Sequence, residues 1–155
     1  MTKNKDNQIE KIKIEDFKIE FASDMFKIHL DEMPENDQMT KQNFLDEFSV
    51  PSRKYFVAIK KDEVIGYLGL FECGDDENII GIAIKKSFQN KGIGTKLIEK
   101  GVDFALKNKK KSLSLEVDER NSSALAFYKK CNFVVTNVRK NYYKDSDAFV
   151  MFRYL

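Results

Sequence analysis

The chain has 155 residues, 42% of them hydrophobic, which is enough for the core of one domain and excludes global disorder. Its 27 basic and 25 acidic residues leave a net charge of +2, which argues against a dedicated nucleic-acid binder. Two cysteines, Cys73 and Cys131, make no disulfide framework and one histidine, His29, makes no metal site; with no bilayer-length apolar run and no signal-peptide pattern, the reading is a reduced, cytoplasmic protein with no membrane partner, no nucleic acid and no metal.

The chain reads as a single domain over residues 1–155, with residues 1–8 a polar, frayed lead-in. Ile9, Ile12 and Ile14 mix with charges as a first strand. From Asp16 to Met33, Phe17, Phe21, Met25 and Ile28 recur at helical spacing, and His29 falls on this helix as a surface or half-buried residue. Pro34, followed by Glu35-Asn36-Asp37, breaks the helix. Thr40 caps a second helix through Phe44, Leu45 and Phe48, which Pro51 ends. Residues 54–59 and 64–71 are two strands joined by a hairpin turn, Lys60-Lys61-Asp62-Glu63. Gly74-Asp75-Asp76-Glu77-Asn78 is a second turn.

A β-branched run at 79–84 follows, of the kind a buried strand uses. A short polar turn, residues 85–91, leads into a helix with Ile93, Leu97, Ile98 and Val102 at helical spacing, which runs to about Asn108. Lys107, Lys109, Lys110 and Lys111 read as solvated cations at its C-terminus rather than as a phosphate patch. Over 112–117, Leu113, Leu115 and Val117 face one way, and Ser112, Ser114 and Glu116 the other; a glutamate among serines suggests a polar cleft. Asn121 caps a helix with Leu125, Phe127, Tyr128 and Cys131, and Asn132 stands where a left-handed residue closes it. Residues 133–138 are a strand, Asn141-Tyr142-Tyr143 a loop, and residues 148–154 a last strand. About seven strands and four helices result, with hairpins early and one β-α-β unit in the middle: an α/β domain with a mixed sheet.

The chemistry concentrates where the 79–84 strand meets the helix. Glycines at a helix start let backbone N–H groups point outward beside the positive end of the helix dipole, and a pyrophosphate is the natural guest. Gly92-Ile93-Gly94-Thr95 lacks the spacing of a Walker loop, and Leu97 stands where a Rossmann fingerprint needs a third glycine. Gln89-Asn90-Lys91-Gly92-Ile93-Gly94 after an apolar strand instead resembles the acetyl-coenzyme A loop of the GNAT acetyltransferases.

From residue 78 to 149 the sequence resembles the RimI branch of that superfamily, bacterial enzymes that acetylate the N-terminal alanine of small-subunit ribosomal protein eighteen. The first matching block is Ile82-Ala83-Ile84 with Gln89 to Gly94. The second is Leu115-Glu116-Val117 with Asn121-Ser122-Ser123-Ala124 and Ala126-Phe127-Tyr128. The third is Arg139-Lys140-Asn141-Tyr142-Tyr143 with Asp147-Ala148. The resemblance implies the GNAT (acyl-CoA N-acyltransferase) fold, a single mixed, mostly antiparallel seven-stranded sheet with about four helices, with acetyl-CoA as co-substrate and a protein N-terminus, that of a ribosomal protein, as acceptor. It implies that Ile82, Ala83 and Ile84 meet the pantetheine arm and acetyl carbonyl, that Gln89, Asn90, Lys91, Gly92, Ile93, Gly94 and Thr95 hold the pyrophosphate, and that Asn121 holds the pantetheine arm. Glu116 becomes the general base, Tyr128 the general acid at sulfur, and Tyr142 and Tyr143 the walls of the acceptor site.

On the residues alone, Glu116 reads as an exposed strand glutamate, Tyr128 as a core aromatic and Asn121 as a helix cap. The chain departs from the family in carrying Asn132 for a usual glycine, and Met33-Pro34-Glu35-Asn36 for an aromatic-Pro-Trp-Ser segment. A GNAT acting on a small amine such as a polyamine or antibiotic, and a non-catalytic acetyl-CoA-binding module, are the competing readings.

Overall fold

Among the described residues, β-branched and aromatic runs, punctuated by turn residues, form seven strands in one sheet of order β1-β2-β3-β4-β5-β7-β6. The computed structural model describes residues 11–155, so the expected lead-in and Ile9 lie outside the described residues. The strands are β1 Ile12–Asp16, β2 Arg53–Lys60, β3 Glu63–Cys73, β4 Asp76–Ile84, β5 Ser112–Asp118, β6 Val134–Tyr143 and β7 Ser146–Tyr154. The α-helices are α1 Ala22–Glu32, α2 Lys41–Glu47, α3 Ile93–Lys107 and α4 Ser122–Lys130. β1–β2, β5–β7 and β6–β7 are antiparallel, and β4–β5, bridged by α3, is parallel. This is the mixed, mostly antiparallel sheet expected.

Several boundaries differ from the expectation, each for a tertiary reason. The first helix begins at Ala22, not Asp16, because Asp16 pairs with Phe56 and the Phe17 N–H donates to the Tyr55 carbonyl at 3.1 Å. Glu77 and Asn78 belong to β4, not to the preceding turn. The side chains of Asp76 and Asn78 hydrogen-bond Ser112 and Ser114 across the parallel ladder, so a run of polar residues is satisfied inside a strand. β6 runs through Tyr143, so Asn141-Tyr142-Tyr143 is strand rather than loop.

The described residues form two compact units, residues 11–69 with 81–100 and residues 70–80 with 101–155. In the first, Phe17 stacks on Phe48 with centroids 3.9 Å apart, Phe44 meets Phe48 and Tyr67 edge-on, and Tyr55 meets Phe48 the same way. His29 lies inside this cluster at 2% exposure, not at the surface. Its Nε2 accepts the Met39 N–H at 2.8 Å, which places the ring proton on Nδ1, 2.8 Å from the Tyr67 hydroxyl. Both ring nitrogens are satisfied by the neutral imidazole, and burial lowers its pKa. Thr40 caps α2 as expected, accepting from the Asn43 N–H at 3.2 Å. Lys61 and Asp62 both take positive φ, 48° and 64°, the geometry of a two-residue hairpin turn.

In the second unit, β5 buries Leu113, Leu115 and Val117 on one face. The Asn121 Oδ1 accepts the Ala124 N–H at 3.2 Å and opens α4. Asn132 closes that helix at φ 69°, with the Phe133 N–H donating to the Tyr128 carbonyl and the Asn132 N–H to that of Lys129. Lys110 is not a solvated cation: its Nζ lies 2.6 Å from Glu72 Oε1 and 2.8 Å from the Gly74 carbonyl. Burial raises the pKa of the neighbouring Glu77 carboxyl, and the Lys110 charge opposes that rise.

Candidate active site

β4 delivers Ile82, Ala83 and Ile84 to the head of the glycine loop, with Ala83 buried and its neighbours half-buried. A single 3-10 turn, Lys86–Phe88, follows. Gln89 then folds back: its Nε2 donates to the Ile84 carbonyl at 2.8 Å and to Glu32 Oε2 at 2.7 Å, pinning the loop to the end of β4 and the end of α1. Asn90 and Gly92 take positive φ, 59° and 81°. A Cβ built on Gly92 would meet nothing within 4 Å, so the position needs glycine for its backbone conformation and not for space. The Gly92 carbonyl accepts the Lys96 N–H at 3.1 Å, which opens α3, and buried Ile93 anchors its first turn, with Gly94 half-buried and Thr95 exposed. The ammonium groups of Lys60 and Lys91 stand over the Phe88 ring at 5.4 and 5.6 Å. First-turn N–H groups at the positive end of the α3 dipole are the chemistry that suits a pyrophosphate, and Lys60 and Lys91 add positive charge beside Phe88.

The other candidate residues lie in the second unit. Ser112, Ser114 and Glu116 share one face of β5, but it is not the open cleft expected: Ser112 and Ser114 are 3% and 5% exposed. Ser112 hydrogen-bonds Asp76, and Ser114 accepts from Asn78 Nδ2 at 3.0 Å. Glu116 is where this polar face opens, with a side chain 19% exposed. Its Oε2 accepts from Asn78 Nδ2 at 3.3 Å, and its Oε1 lies 3.5 Å from the Arg139 guanidinium. Arg139 also stands 5.9 Å from the centre of the Tyr142 ring, which meets Tyr143 edge-on at 5.0 Å.

A bulge sets the two tyrosines. Asn141 takes φ 54°, the β6–β7 register shifts between Arg139 and Tyr143, and the Asp147 carboxylate accepts the Asn141 N–H at 2.8 Å and Lys140 Nζ at 3.2 Å. The Asn141 N–H, then the Lys140 ammonium, hold the Asp147 pKa below its ordinary value. Tyr142 is consequently half exposed, at 50%, while Tyr143 is buried at 8% opposite Ser146. Nearby, the Arg120 side chain holds the Asp118 carboxyl down to about 2. Tyr128, on α4, is 8% exposed, with its ring against Phe127 and edge-on to Phe133.

Residues 15–133 match the model of the acetyltransferase (GNAT) family. The chain belongs to the GNAT family. This GNAT chain is an acetyl-CoA-dependent N-acetyltransferase. It is 34% identical over 115 residues, 72% of its length and 76% of the relative's, to a Bacillus subtilis (strain 168) protein provisionally named a ribosomal protein bS18-alanine N-acetyltransferase. It is 30% identical over 116 residues, 71% of its length and 72% of the relative's, to the N-alpha-acetyltransferase RimI of Mycobacterium tuberculosis (strain H37Rv). Among solved structures, the Escherichia coli ribosomal-protein-S18-alanine N-acetyltransferase superimposes with a TM-score of 0.82 at 21% identity, covering 92% of this chain and 93% of that one. Ard1 from Thermoplasma volcanium gives 0.84 at 26%, covering 94% and 98%. An Elizabethkingia anophelis GNAT acetyltransferase solved with acetyl-CoA bound gives 0.77 at 23%, covering 94% and 99%.

Within each unit of this GNAT chain the expected residues cluster: the backbone loop in the first, and Glu116 with the tyrosine hairpin in the second. Sequence reasoning assigned no role to Asn78, taken as part of a turn, or to Arg139, although both touch the Glu116 carboxylate. The strict apolar-polar alternation of β5 was the available signal that Glu116 needs partners on its own face.

Proposed function

We propose that this enzyme acetylates the N-terminal α-amine of a protein, with the N-terminal alanine of a ribosomal protein as its acceptor. The observation that carries the reading is the 34% identity, over most of both chains, to a relative named for that reaction. The chemistry is compatible. An α-amine has a pKa of ~8 and a lysine ~10.4, so at neutral pH the α-amine is neutral about two hundred times more often and needs only a mild base.

Acetyl-CoA, when bound, supplies the thioester carbonyl and the thiol leaving group. In this reading the 89–95 backbone and Lys91 hold its pyrophosphate, and backbone groups of residues 82–84 and the Asn121 side chain align its arm. Glu116 takes the amine proton, directly or through one water, and the Tyr128 hydroxyl protonates sulfur as it departs. Tyr142, the more exposed ring of the hairpin, lies against the acceptor's first residues, and Tyr143 supports it from the buried side. In this reading the reaction takes place in the cytoplasm, where nascent ribosomal proteins and acetyl-CoA meet.

Incubation with acetyl-CoA and a peptide carrying a ribosomal protein's N-terminal alanine and an internal lysine, followed by fragment mass spectrometry, tests the reading. Acetyl on the α-nitrogen supports it; acetyl on the lysine, or none at all, refutes it.

A further inference from the structure

We propose that Asn78 is a positioning residue for Glu116, fixing the carboxylate through one oxygen while Arg139 restrains the other; this rests on the reading of Glu116 as the base. The β4–β5 ladder pairs Asp76 with Ser112, Glu77 with Leu113 and Asn78 with Ser114. Side chains on one face therefore form polar rungs, Asp76 to Ser112 and Asn78 to Ser114. Glu116 is the next residue of β5 on that face, one step beyond the last rung, and has no residue of the ladder directly opposite. Asn78 reaches diagonally to close that gap. Its Nδ2 lies 3.0 Å from Ser114 Oγ and 3.3 Å from Glu116 Oε2. A carboxylate only accepts hydrogen bonds, so the amide must present its NH₂ to Glu116, and the same NH₂ donates to Ser114 Oγ.

The two supports differ in kind. Arg139 is a long, 57%-exposed side chain at 3.5 Å, whose pairing with Glu116 solvent weakens. Asn78 is short, 6% exposed and fixed within a strand pairing. A buried amide donor keeps its geometry through the catalytic cycle, and the carboxylate lone pairs it leaves open are those that receive the amine proton. A base held within a fraction of an ångström of its productive position gains rate without gaining affinity for either substrate.

The test is a double-mutant cycle on acetyl transfer to an N-terminal alanine peptide, with kcat and both KM values measured. Asn78→Leu should lower kcat about tenfold and leave the KM for acetyl-CoA within about twofold, because only the base is misplaced. In a Glu116→Gln background the same change should cost less than about twofold, since there is no longer a base to position. Asn78→Asp, which keeps the shape but replaces the donor with a like charge, should lose at least as much as Asn78→Leu, and serves alone if the leucine variant does not fold. Equal losses in both backgrounds, or none in either, would overturn the positioning role while leaving Glu116 as base. Wild-type turnover in Glu116→Gln itself would overturn both readings, and this separates the two failures.

Discussion

The glycine loop and the strand pair around Glu116 are built in opposite ways. The loop is a backbone site: one left-handed glycine and one folded-back glutamine set a row of N–H groups, and its own side chains mostly face solvent. The Glu116 site is a side-chain site, in which a carboxylate is gripped by an amide from β4 and a guanidinium from β6. If the loop holds acetyl-CoA and Glu116 is the base, as proposed, the backbone site should fail through affinity and the side-chain site through turnover, because the first would hold a ground-state ligand and the second would move protons.

The largest effect should come from Glu116→Gln. Loss of the base should lower kcat about a hundredfold or more, with acetyl-CoA affinity by calorimetry unchanged. The loss should be larger at low pH than at high pH, where the amine is already neutral; a pH-independent loss would make Glu116 structural.

Next comes Tyr128→Phe, for which a loss in kcat of about tenfold to a hundredfold with intact cofactor affinity is expected, since a proton donor matters only as charge builds on sulfur. Wild-type turnover would return this buried ring to the core alone.

At Gly92 the contrast inverts. Gly92→Val should weaken acetyl-CoA binding about tenfold while Gly92→Asn costs less, because the position demands φ 81° and has open space around it. Equal losses in the two variants would mean that bulk, not backbone, decides.

In the proposed reading, Asn121 combines a helix cap with a hold on the cofactor's arm. Asn121→Asp keeps a capping oxygen for the Ala124 N–H and should hold the melting temperature while raising the Kd for acetyl-CoA. Asn121→Ala should lose about 1 kcal/mol of stability as well. An unchanged Kd in the aspartate variant would leave Asn121 a cap only.

How far the sequence revealed this follows from the same division. A backbone site writes its needs locally: Gly92, Thr40 as a cap, and Asn121 and Asn132 at the two ends of α4 were all recognisable from their neighbours. Side-chain sites are written at a distance. Asn78 lies in a polar run that resembles a turn until Ser114, 36 residues later, is laid beside it. The strand character of Tyr142 and Tyr143 depends on Asp147, which stabilises the Asn141 bulge from the next strand. His29 sits on a helix with charged neighbours, and only Tyr67, 38 residues away, and Met39 reveal that it is buried.

The smallest effect concerns that histidine. The unfolded chain titrates His29 near its ordinary value of about 6.5, while burial lowers the folded value. Between the two the unfolded state binds the extra proton, so the stability linked to His29 is complete above about pH 6.5 and is lost as pH falls through that window. Glu77, whose pKa is raised, works in the opposite sense, so the comparison is made against His29→Gln. Urea midpoints at pH 7.5 and 5.5 should fall further in the wild type than in the variant; parallel falls would contradict the neutral, doubly bonded ring.

The central claim is that the acceptor is a protein N-terminus. It is tested most directly by competition for acetyl-CoA among three acceptors: a peptide with a ribosomal protein's N-terminal alanine, the same peptide blocked at its α-amine but carrying a free lysine, and spermidine. The free α-amine should give the highest kcat/KM. A higher value for the blocked peptide or for spermidine would contradict it and make the enzyme a lysine or small-amine acetyltransferase.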